Sequence, residues 1–267
     1  MKGGWFGVVG GAALLLTAGC HLLQMTPGGG SKPLEREVIA GAPGKYSQRV
    51  APYVFLADFE LQRNAPIYVY LFEDKARYEQ FMKLKYPELP ARRAFFVAQP
   101  RRLSGSEELM VFTYRGERLQ QDLRHELTHA LLHSVLKDVP LWLDEGLAEY
   151  YEVPPANSGV NFHHLDQLCR PKQGQPKPNL SRLEQFSEVQ QMNPGEYREA
   201  WAWVHFMLRG QPQGKQVLLQ YLQELRSNSR PGPLEPRLAA ALLSPHEALD
   251  RHLADLDNAR RAATAQK

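Results

Sequence analysis

The chain has 267 residues, of which 43% are hydrophobic and 23% are charged, and its formal net charge is +3 at pH 7. This composition is ordinary for a globular protein of one or two domains. Because the small positive charge is spread along the chain, and no run of lysine and arginine exceeds a pair or triplet, the sequence argues against nucleic acid as a partner.

The first residues are typical of an export signal. Lys2 precedes an apolar, glycine-rich run over residues 5–19, which is too short to span a bilayer and suits the central region of a secretory signal. The run ends in Leu-Thr-Ala-Gly before Cys20, which resembles a bacterial lipobox, where the cysteine is lipidated and becomes the new N-terminus. We therefore expect residues 1–19 to be a lipoprotein signal peptide and a lipid on Cys20 to attach the protein to the membrane. The alternative is an ordinary signal peptide, with no lipid on the cysteine.

The resemblance to lipoproteins also implies a location. In a cell with two membranes, His21 in place of an aspartate after the lipidated cysteine implies sorting to the outer membrane, so we expect a cell-envelope protein that faces the periplasm. Residues 20–40 contain a run of glycine, serine and proline and are expected to form a flexible tether. Once Cys20 carries lipid, Cys169 has no partner for an internal disulfide.

The folded part begins with predicted strands. Residues 66–72 alternate β-branched and aromatic side chains, which is the clearest strand signal in the chain. Asp74 follows as a helix N-cap, and the predicted helix runs to Lys85 with Tyr78 on its buried side. Three further strands are predicted over residues 50–61, 93–99 and 109–115.

The next predicted helix, over residues 117–136, carries the strongest motif. Residues 125–129 are His-Glu-Leu-Thr-His. Because positions four apart lie on the same face of an α-helix, His125 and His129 can reach one metal ion, with Glu126 beside the open coordination position. His133 continues this spacing, but the motif needs only the first pair, so we interpret it as a helix-end residue, with a role at the metal as the alternative.

A second helix, from about Pro140, is predicted to pack against the first and to present Glu145 to the two histidines. Two histidines and a glutamate, with one position left for water, form the layout of a catalytic zinc site. Glu149, four residues further on, is expected to hydrogen-bond the free ring nitrogen of one ligating histidine, and Asp144 to brace the start of the same helix.

These two motifs resemble those of the glutamate-zincin (thermolysin-like) metallopeptidases, and specifically the bacterial peptidase MA-like domain, in which H-E-x-T-H is followed by W-x-x-E-G-x-A-E-Y. The second motif here is Trp-Leu-Asp-Glu-Gly-Leu-Ala-Glu-Tyr, at residues 142–150. The resemblance implies that His125, His129 and Glu145 bind Zn²⁺ and that Glu126 is the general base. It also implies an α+β, zincin-like fold, with a small mixed sheet packed on the metal helix and an all-helical C-terminal part.

Further expectations come from the same resemblance. In thermolysin-like enzymes an edge strand near the zinc pairs with the substrate backbone. The strand over residues 109–114 is the candidate here, with an ordinary sheet strand as the alternative. Related enzymes often stabilise the oxyanion with a tyrosine or histidine from their C-terminal helices, and Tyr197 and His205 are the candidates. Both lie in a helix predicted to begin at Asn193 and to end at Gly210, where aromatic residues at helical spacing are otherwise typical of core.

The remaining histidines and cysteine have competing interpretations. His163 and His164 follow a loop after the second motif, and either one of them faces the site or both have solvent or capping roles. Cys169 is interpreted as a half-buried thiol at a helix end, with inhibitory thiolate binding to the metal as the alternative.

The sequence therefore predicts a zinc-dependent peptidase or amide hydrolase of the envelope, acting on a peptide or protein substrate. The expected organisation is a signal peptide over 1–19, a tether over 20–40, a zincin-like catalytic portion over 41–155 and a helical portion over 156–267. One alternative is a metal-binding lipoprotein that holds a peptide or wall fragment without cutting it. Another is a structural or assembly lipoprotein that keeps the zincin-like fold as a scaffold. Glu126 favours the enzyme, because a non-catalytic metal site needs no base there.

Overall fold

The computed structural model describes residues 67–100, 107–136, 138–171, 173–228 and 230–265, together with two short strands, β1 (Leu15–Leu16) and β2 (His21–Leu22). β1 and β2 pair antiparallel with each other. Cys20, most of the expected tether and the strand predicted over residues 50–61 lie outside the described residues. Among the residues described, no helix is both long enough and apolar enough to span a bilayer.

The other strands form a three-stranded sheet. They are β3 (Ile67–Phe72), β4 (Ala94–Pro100) and β5 (Glu107–Tyr114), in the order β3-β5-β4. β5 pairs parallel with β3 and antiparallel with β4. Three of the four predicted strands are thus confirmed, with ends that differ by about one or two residues.

β5 is the central strand of this sheet, with β3 on one side and β4 on the other. The expectation that the strand over residues 109–114 lies at an edge and pairs with a substrate backbone is therefore wrong. The reason is that the connection between β3 and β4 carries the chain two strand positions across the sheet, and β5 then runs antiparallel to β4 in the gap beside β3.

The first helix, α1 (Lys75–Lys85), covers one face of the sheet. As predicted, Asp74 is its N-cap, and the Asp74 carboxylate accepts a hydrogen bond of 2.9 Å from the backbone N–H of Arg77. An aromatic core lies between α1 and the sheet. It consists of Phe72, Tyr78, Met82, Tyr86, Phe95, Val97, Met110 and Phe112.

The predicted metal helix, α2 (Leu119–Val135), packs on the opposite face. Successive side chains of a strand point to opposite faces, so Phe96 of β4 and Val111 of β5 join Ala130 of α2 in a second buried cluster. The next helix, α3 (Leu141–Glu152), follows a short connection and packs against α2. The sheet therefore supports the helix that carries the first motif.

The rest of the chain is helical, and two 3₁₀ turns lie at Pro155–Asn157 and Val189–Gln191. The helix that was predicted between Asn193 and Gly210 is confirmed, with Asn193 as its N-cap and Gly210 as its C-cap. The helices are α4 (Phe162–Cys169), α5 (Leu180–Leu183), α6 (Pro194–Arg209), α7 (Pro212–Leu225), α8 (Glu235–Ala241) and α9 (Pro245–Ala265).

α3 and α6 approach each other closely at Gly146. A Cβ atom added there would lie 2.7 Å from the carbonyl oxygen of Ala200 and 2.8 Å from Cγ2 of Val204. The largest core joins Trp142 of α3 to Trp201 of α6, so side chains from both sides of residue 155 pack together. The mixed α+β class, with a small sheet and a helical C-terminal part, is as predicted.

Candidate metal centre

α2 and α3 lie side by side in opposite directions. Near the start of α2, Gln121 Nε2 donates to Glu152 Oε1 at 2.8 Å and Arg124 Nε donates to the Glu152 carbonyl oxygen at 2.7 Å. Glu152 is the last residue of α3. Near the other end of α2, His133 bonds Asp144 in the first turn of α3. This antiparallel packing turns the two sequence motifs toward each other.

Three side chains converge between these helices. Nε2 of His125 and Nε2 of His129 each lie 3.7 Å from the same oxygen, Oε2 of Glu145. His129 and Glu145 are fully buried, and His125 is 8% exposed. The sequence prediction that these residues come together is therefore what the structure shows.

The donor set fits a zinc ion. Ligand atoms about 2.0–2.1 Å from one tetrahedral zinc lie roughly 3.4 Å apart, which is close to the observed 3.7 Å. Both Nε2 atoms are buried and have no hydrogen-bond partner among the described residues. Because a buried polar atom without a partner is costly, a cation bound between His125, His129 and Glu145 would satisfy both rings.

The other ring nitrogen of His125 is held by Glu152. Nδ1 of His125 and Oε2 of Glu152 are 3.1 Å apart. Burial alone lowers the pKa of His125, but the nearby carboxylates of Glu145 and Glu152 outweigh it and raise this pKa well above its ordinary value. Burial raises the pKa of Glu152, yet the bond to His125 brings the net pKa below its usual value. A metal ion bound at this site would therefore compete with a proton for His125.

The other ring nitrogen of His129 faces Asp144. Nδ1 of His129 lies 2.7 Å from Oδ1 of Asp144, which is bonding distance, although the pair does not meet the directional criterion of a good hydrogen bond. Oδ2 of the same carboxylate is 3.0 Å from Nε2 of His133. Burial raises the pKa of Asp144, but the charges of the two histidines outweigh burial and hold this pKa well below its usual range. Asp144 thus supports a ligand, beyond its expected contribution to the helix start.

Glu149 is not the residue that hydrogen-bonds a ligating histidine. Its Oε2 bonds Nε2 of His164 at 2.9 Å, on α4. At 3.6 residues per turn, Glu152 lies about 20° from the direction of Glu145 around the helix, whereas Glu149 lies about 40° away on the other side. The antiparallel packing also brings His125 opposite the end of α3. Both effects favour Glu152 over Glu149 as the partner of His125.

The proposed base, Glu126, is 3% exposed and lies on α2 beside the ligands. Burial lowers the pKa of His125, the Glu145 and Glu152 carboxylates raise it, and the Glu126 charge adds to their effect. This charge also acts on Tyr78 of α1, where burial is the main cause of a raised pKa and the Glu126 charge the next. Glu126 is therefore a buried acid on the helix that carries the two histidines.

The two oxyanion candidates lie in the helical core. Nδ1 of His205 is 2.9 Å from Nε2 of His252, and the His205 ring packs on Tyr150. Tyr150 follows Glu145 by five residues, which is about 140° around α3, so His205 faces the side of α3 that is turned away from the ligands. The expectation of an oxyanion role for His205 is therefore corrected. Tyr197 is half-buried against the same core.

Two other candidates lie away from the ligands. Sγ of Cys169 donates to the carbonyl oxygen of Leu253 at 3.6 Å, and burial raises the pKa of this thiol. This is the half-buried helix-end thiol that the sequence predicted, since Cys169 is the last residue of α4. His163 is exposed beside Gln167.

Three contributors were missed or undervalued in the sequence. Glu152 carried a signal, because it follows Glu145 by seven residues and so returns to the same helix face. His133 carried the same i, i+4 signal as the ligands, but its partner Asp144 lies on another helix. His164 was one of two histidines that the sequence offered as a possible site residue, but its bond to Glu149 depends on how α4 packs.

Comparison with known proteins gives a family without a stated activity. A family model described as "Protein of unknown function (DUF1570)" matches residues 121–235, which is less than half of the chain. The matched segment includes both motifs and runs from the start of α2 to the first residue of α8. Neither the curated proteins nor the solved structures include a match to the chain.

Proposed function

We propose that the protein is a zinc-dependent peptidase or amide hydrolase of the bacterial cell envelope. One observation carries this proposal. The Nε2 atoms of His125 and His129 approach the same Glu145 oxygen at 3.7 Å in a buried site, and Glu126 lies on the same helix as the two histidines. A purely structural ion pair would need neither two converging imidazoles nor a second buried acid beside Glu145.

In this proposal His125, His129 and Glu145 hold the ion. Bound zinc acidifies water and polarises a carbonyl oxygen, which is the chemistry that amide hydrolysis requires. Glu152 holds Nδ1 of His125 through the 3.1 Å bond, so Nε2 of that ring is left to face Glu145. The set offers three protein ligands, and catalytic zinc sites typically keep a fourth position for water or substrate.

Glu126 is the proposed general base. Its carboxylate accepts a proton from the attacking water and then donates that proton to the nitrogen of the departing amine. Burial suits this role, because a carboxylate shielded from solvent does not exchange its proton with bulk water between the two transfers. The substrate class is a peptide or protein, and the envelope location rests on the export signal and on the lipid expected at Cys20.

Turnover of a peptide library by purified protein tests the base. We expect wild type to cleave and Glu126→Gln to lose about 10²- to 10⁴-fold in rate while it keeps its zinc. Glu247→Gln is the matched control, because Glu247 is exposed on α9 and pairs with Arg251 at the surface. Hydrolysis by Glu126→Gln at the wild-type rate would contradict the proposed base. Metal binding without turnover in wild type would favour the non-catalytic binding protein.

A further inference from the structure

A third histidine of α2 extends the proposed metal centre. His133 lies one turn beyond His129, and its side chain is 7% exposed. Its Nε2 atom is 3.0 Å from Oδ2 of Asp144, and the other oxygen of Asp144 is 2.7 Å from Nδ1 of His129. We propose that His133 is a positioning residue for the metal ligand His129 and that it acts through Asp144. This inference rests on the proposed metal site.

The Asp144 carboxylate needs two partners. It is 2% exposed, and a buried carboxylate must be hydrogen-bonded or paired to remain charged. Each oxygen faces one imidazole, Oδ1 toward His129 and Oδ2 toward His133. Because the two oxygens are joined rigidly, the bond at Oδ2 sets where Oδ1 points. Loss of His133 would leave the carboxylate free to rotate away from His129.

The acceptor character of Asp144 also selects a ring nitrogen. A carboxylate only accepts, so His133 donates its Nε2–H to Asp144, and the Asp144 oxygen 2.7 Å from Nδ1 of His129 favours a proton on that nitrogen. With the proton on Nδ1, Nε2 of His129 presents a lone pair toward Glu145, where the metal is proposed to bind. His133 therefore contributes to the correct tautomer of a ligand it does not contact.

His133 itself is held by the sheet. Its ring stacks on Phe96 of β4, with ring centroids 5.6 Å apart and an angle of 27° between the planes. Phe96 is 1% exposed and belongs to the cluster between the sheet and α2. A chain of contacts thus runs from the sheet through Phe96, His133 and Asp144 to His129. This support is more rigid than a carboxylate held by water would be.

An alternative use of the same groups is a second metal ion, because ligand atoms of His129, His133 and Asp144 lie within 4.8 Å of one another. The observed 3.0 Å contact between His133 and Asp144 is a well-formed hydrogen bond, so we favour the positioning role. Metal stoichiometry separates the two, since a second site would add one zinc per chain in wild type and remove it in a His133 variant.

Zinc affinity, measured by competition with a chromophoric chelator, tests the inference in three purified proteins. His133→Phe keeps a ring against Phe96 but cannot donate to Asp144, whereas His133→Gln keeps a donor. We expect His133→Phe to bind zinc about 10-fold more weakly than wild type and His133→Gln to be within about threefold of it. His163→Phe is the control at an exposed histidine and should not change the affinity. The visible spectrum of the cobalt-substituted protein should shift in His133→Phe alone.

The outcomes are distinct. Wild type that binds no zinc would overturn the proposed function and this inference with it. Wild type that binds zinc, with unchanged affinity in a folded His133→Phe protein, would overturn this inference alone. Two zinc ions in wild type and one in His133→Phe would replace it with the second metal site. If His133→Phe does not fold, His133→Leu gives the same comparison with a smaller side chain.

Discussion

Oε2 of Glu152 lies 3.1 Å from Nδ1 of His125, across the interface between α3 and α2. The same carboxylate accepts from Gln121 at 2.8 Å through its other oxygen. Glu152 is therefore fixed at both oxygens, and the ring of His125 is fixed with it. Glu152 is expected to contribute to metal binding in the same way as other carboxylates that orient zinc-binding histidines.

The first prediction concerns this residue. Glu152→Ala removes the acceptor at Nδ1 of His125, so zinc affinity should fall by about 10- to 100-fold. Glu149→Ala is the matched control on the same helix, because Glu149 bonds His164 and not a ligand, and it should change the affinity by less than about threefold. Competition with a chelator measures both. If Glu149→Ala weakened binding more than Glu152→Ala, the assignment of the orienting carboxylate would be reversed.

The second prediction concerns the contact between α3 and α6. Gly146→Ala places a methyl group 2.7 Å from a backbone oxygen, so the free energy of unfolding should fall by about 1–3 kcal/mol. Gly214→Ala is the control within a helix, since its nearest neighbour would be 3.4 Å away, and it should be neutral or stabilising by up to about 1 kcal/mol. Chemical denaturation measures both values. Equal stability of the two variants would contradict the close packing at Gly146.

The third prediction is that the free energy of unfolding depends on pH because of His205. Burial, with smaller contributions from His252 and Arg209, lowers the pKa of His205 to about 3. The unfolded chain binds a proton here below about pH 6.5 and the folded chain does not, so this group's contribution to stability is complete above pH 6.5 and is lost as the pH falls toward 3. Between pH 7 and pH 5 the loss should be roughly 2 kcal/mol.

Denaturation at the two pH values, in wild type and in His205→Phe, isolates this group. The variant keeps an aromatic ring in the core but cannot bind the proton, so its stability should fall less between pH 7 and pH 5. His163→Gln, at an exposed position, should behave like wild type. The same pH dependence in wild type and His205→Phe would show that His205 is not the group responsible.

The fourth prediction concerns the membrane anchor. Cys20→Ser removes the thiol that is expected to carry the lipid, so the protein should move from the membrane fraction to the soluble periplasmic fraction. Cys169→Ser is the control, because that thiol lies between α4 and α9 and should have no effect on location. Fractionation followed by immunoblotting measures both. Cys20→Ser protein that stays in the membrane fraction would contradict lipid anchoring.

Local sequence patterns predicted most of the helices and strands and the central residues of the site. The alternation in residues 66–72, the cap at Asp74 and the i, i+4 pair at His125 and His129 each depend on neighbours in the chain, and each predicted element is present. The convergence of Glu145 on the histidines was also predictable, because a short connection forces α3 back along α2.

The predictions failed where the position of a strand or side chain depends on packing between distant segments of the chain. The central place of β5 depends on how the connection between β3 and β4 crosses the sheet, which strand propensity does not reveal. The choice of Glu152 over Glu149 depends on the antiparallel direction of α3 and on the side of Glu145 on which each residue lies, about 20° away for Glu152 and about 40° for Glu149. His205 lies on a correctly predicted helix, but α6 turns it toward Tyr150 and away from the ligands.

Zinc content per chain, measured by mass spectrometry after dialysis against dilute zinc, tests the central claim most directly. We expect one zinc per chain in wild type and less than about a tenth of that in Glu145→Ala, with Glu247→Ala unchanged as the surface control. No zinc in wild type, or as much zinc in a folded Glu145→Ala protein as in wild type, would contradict a metal centre built from His125, His129 and Glu145.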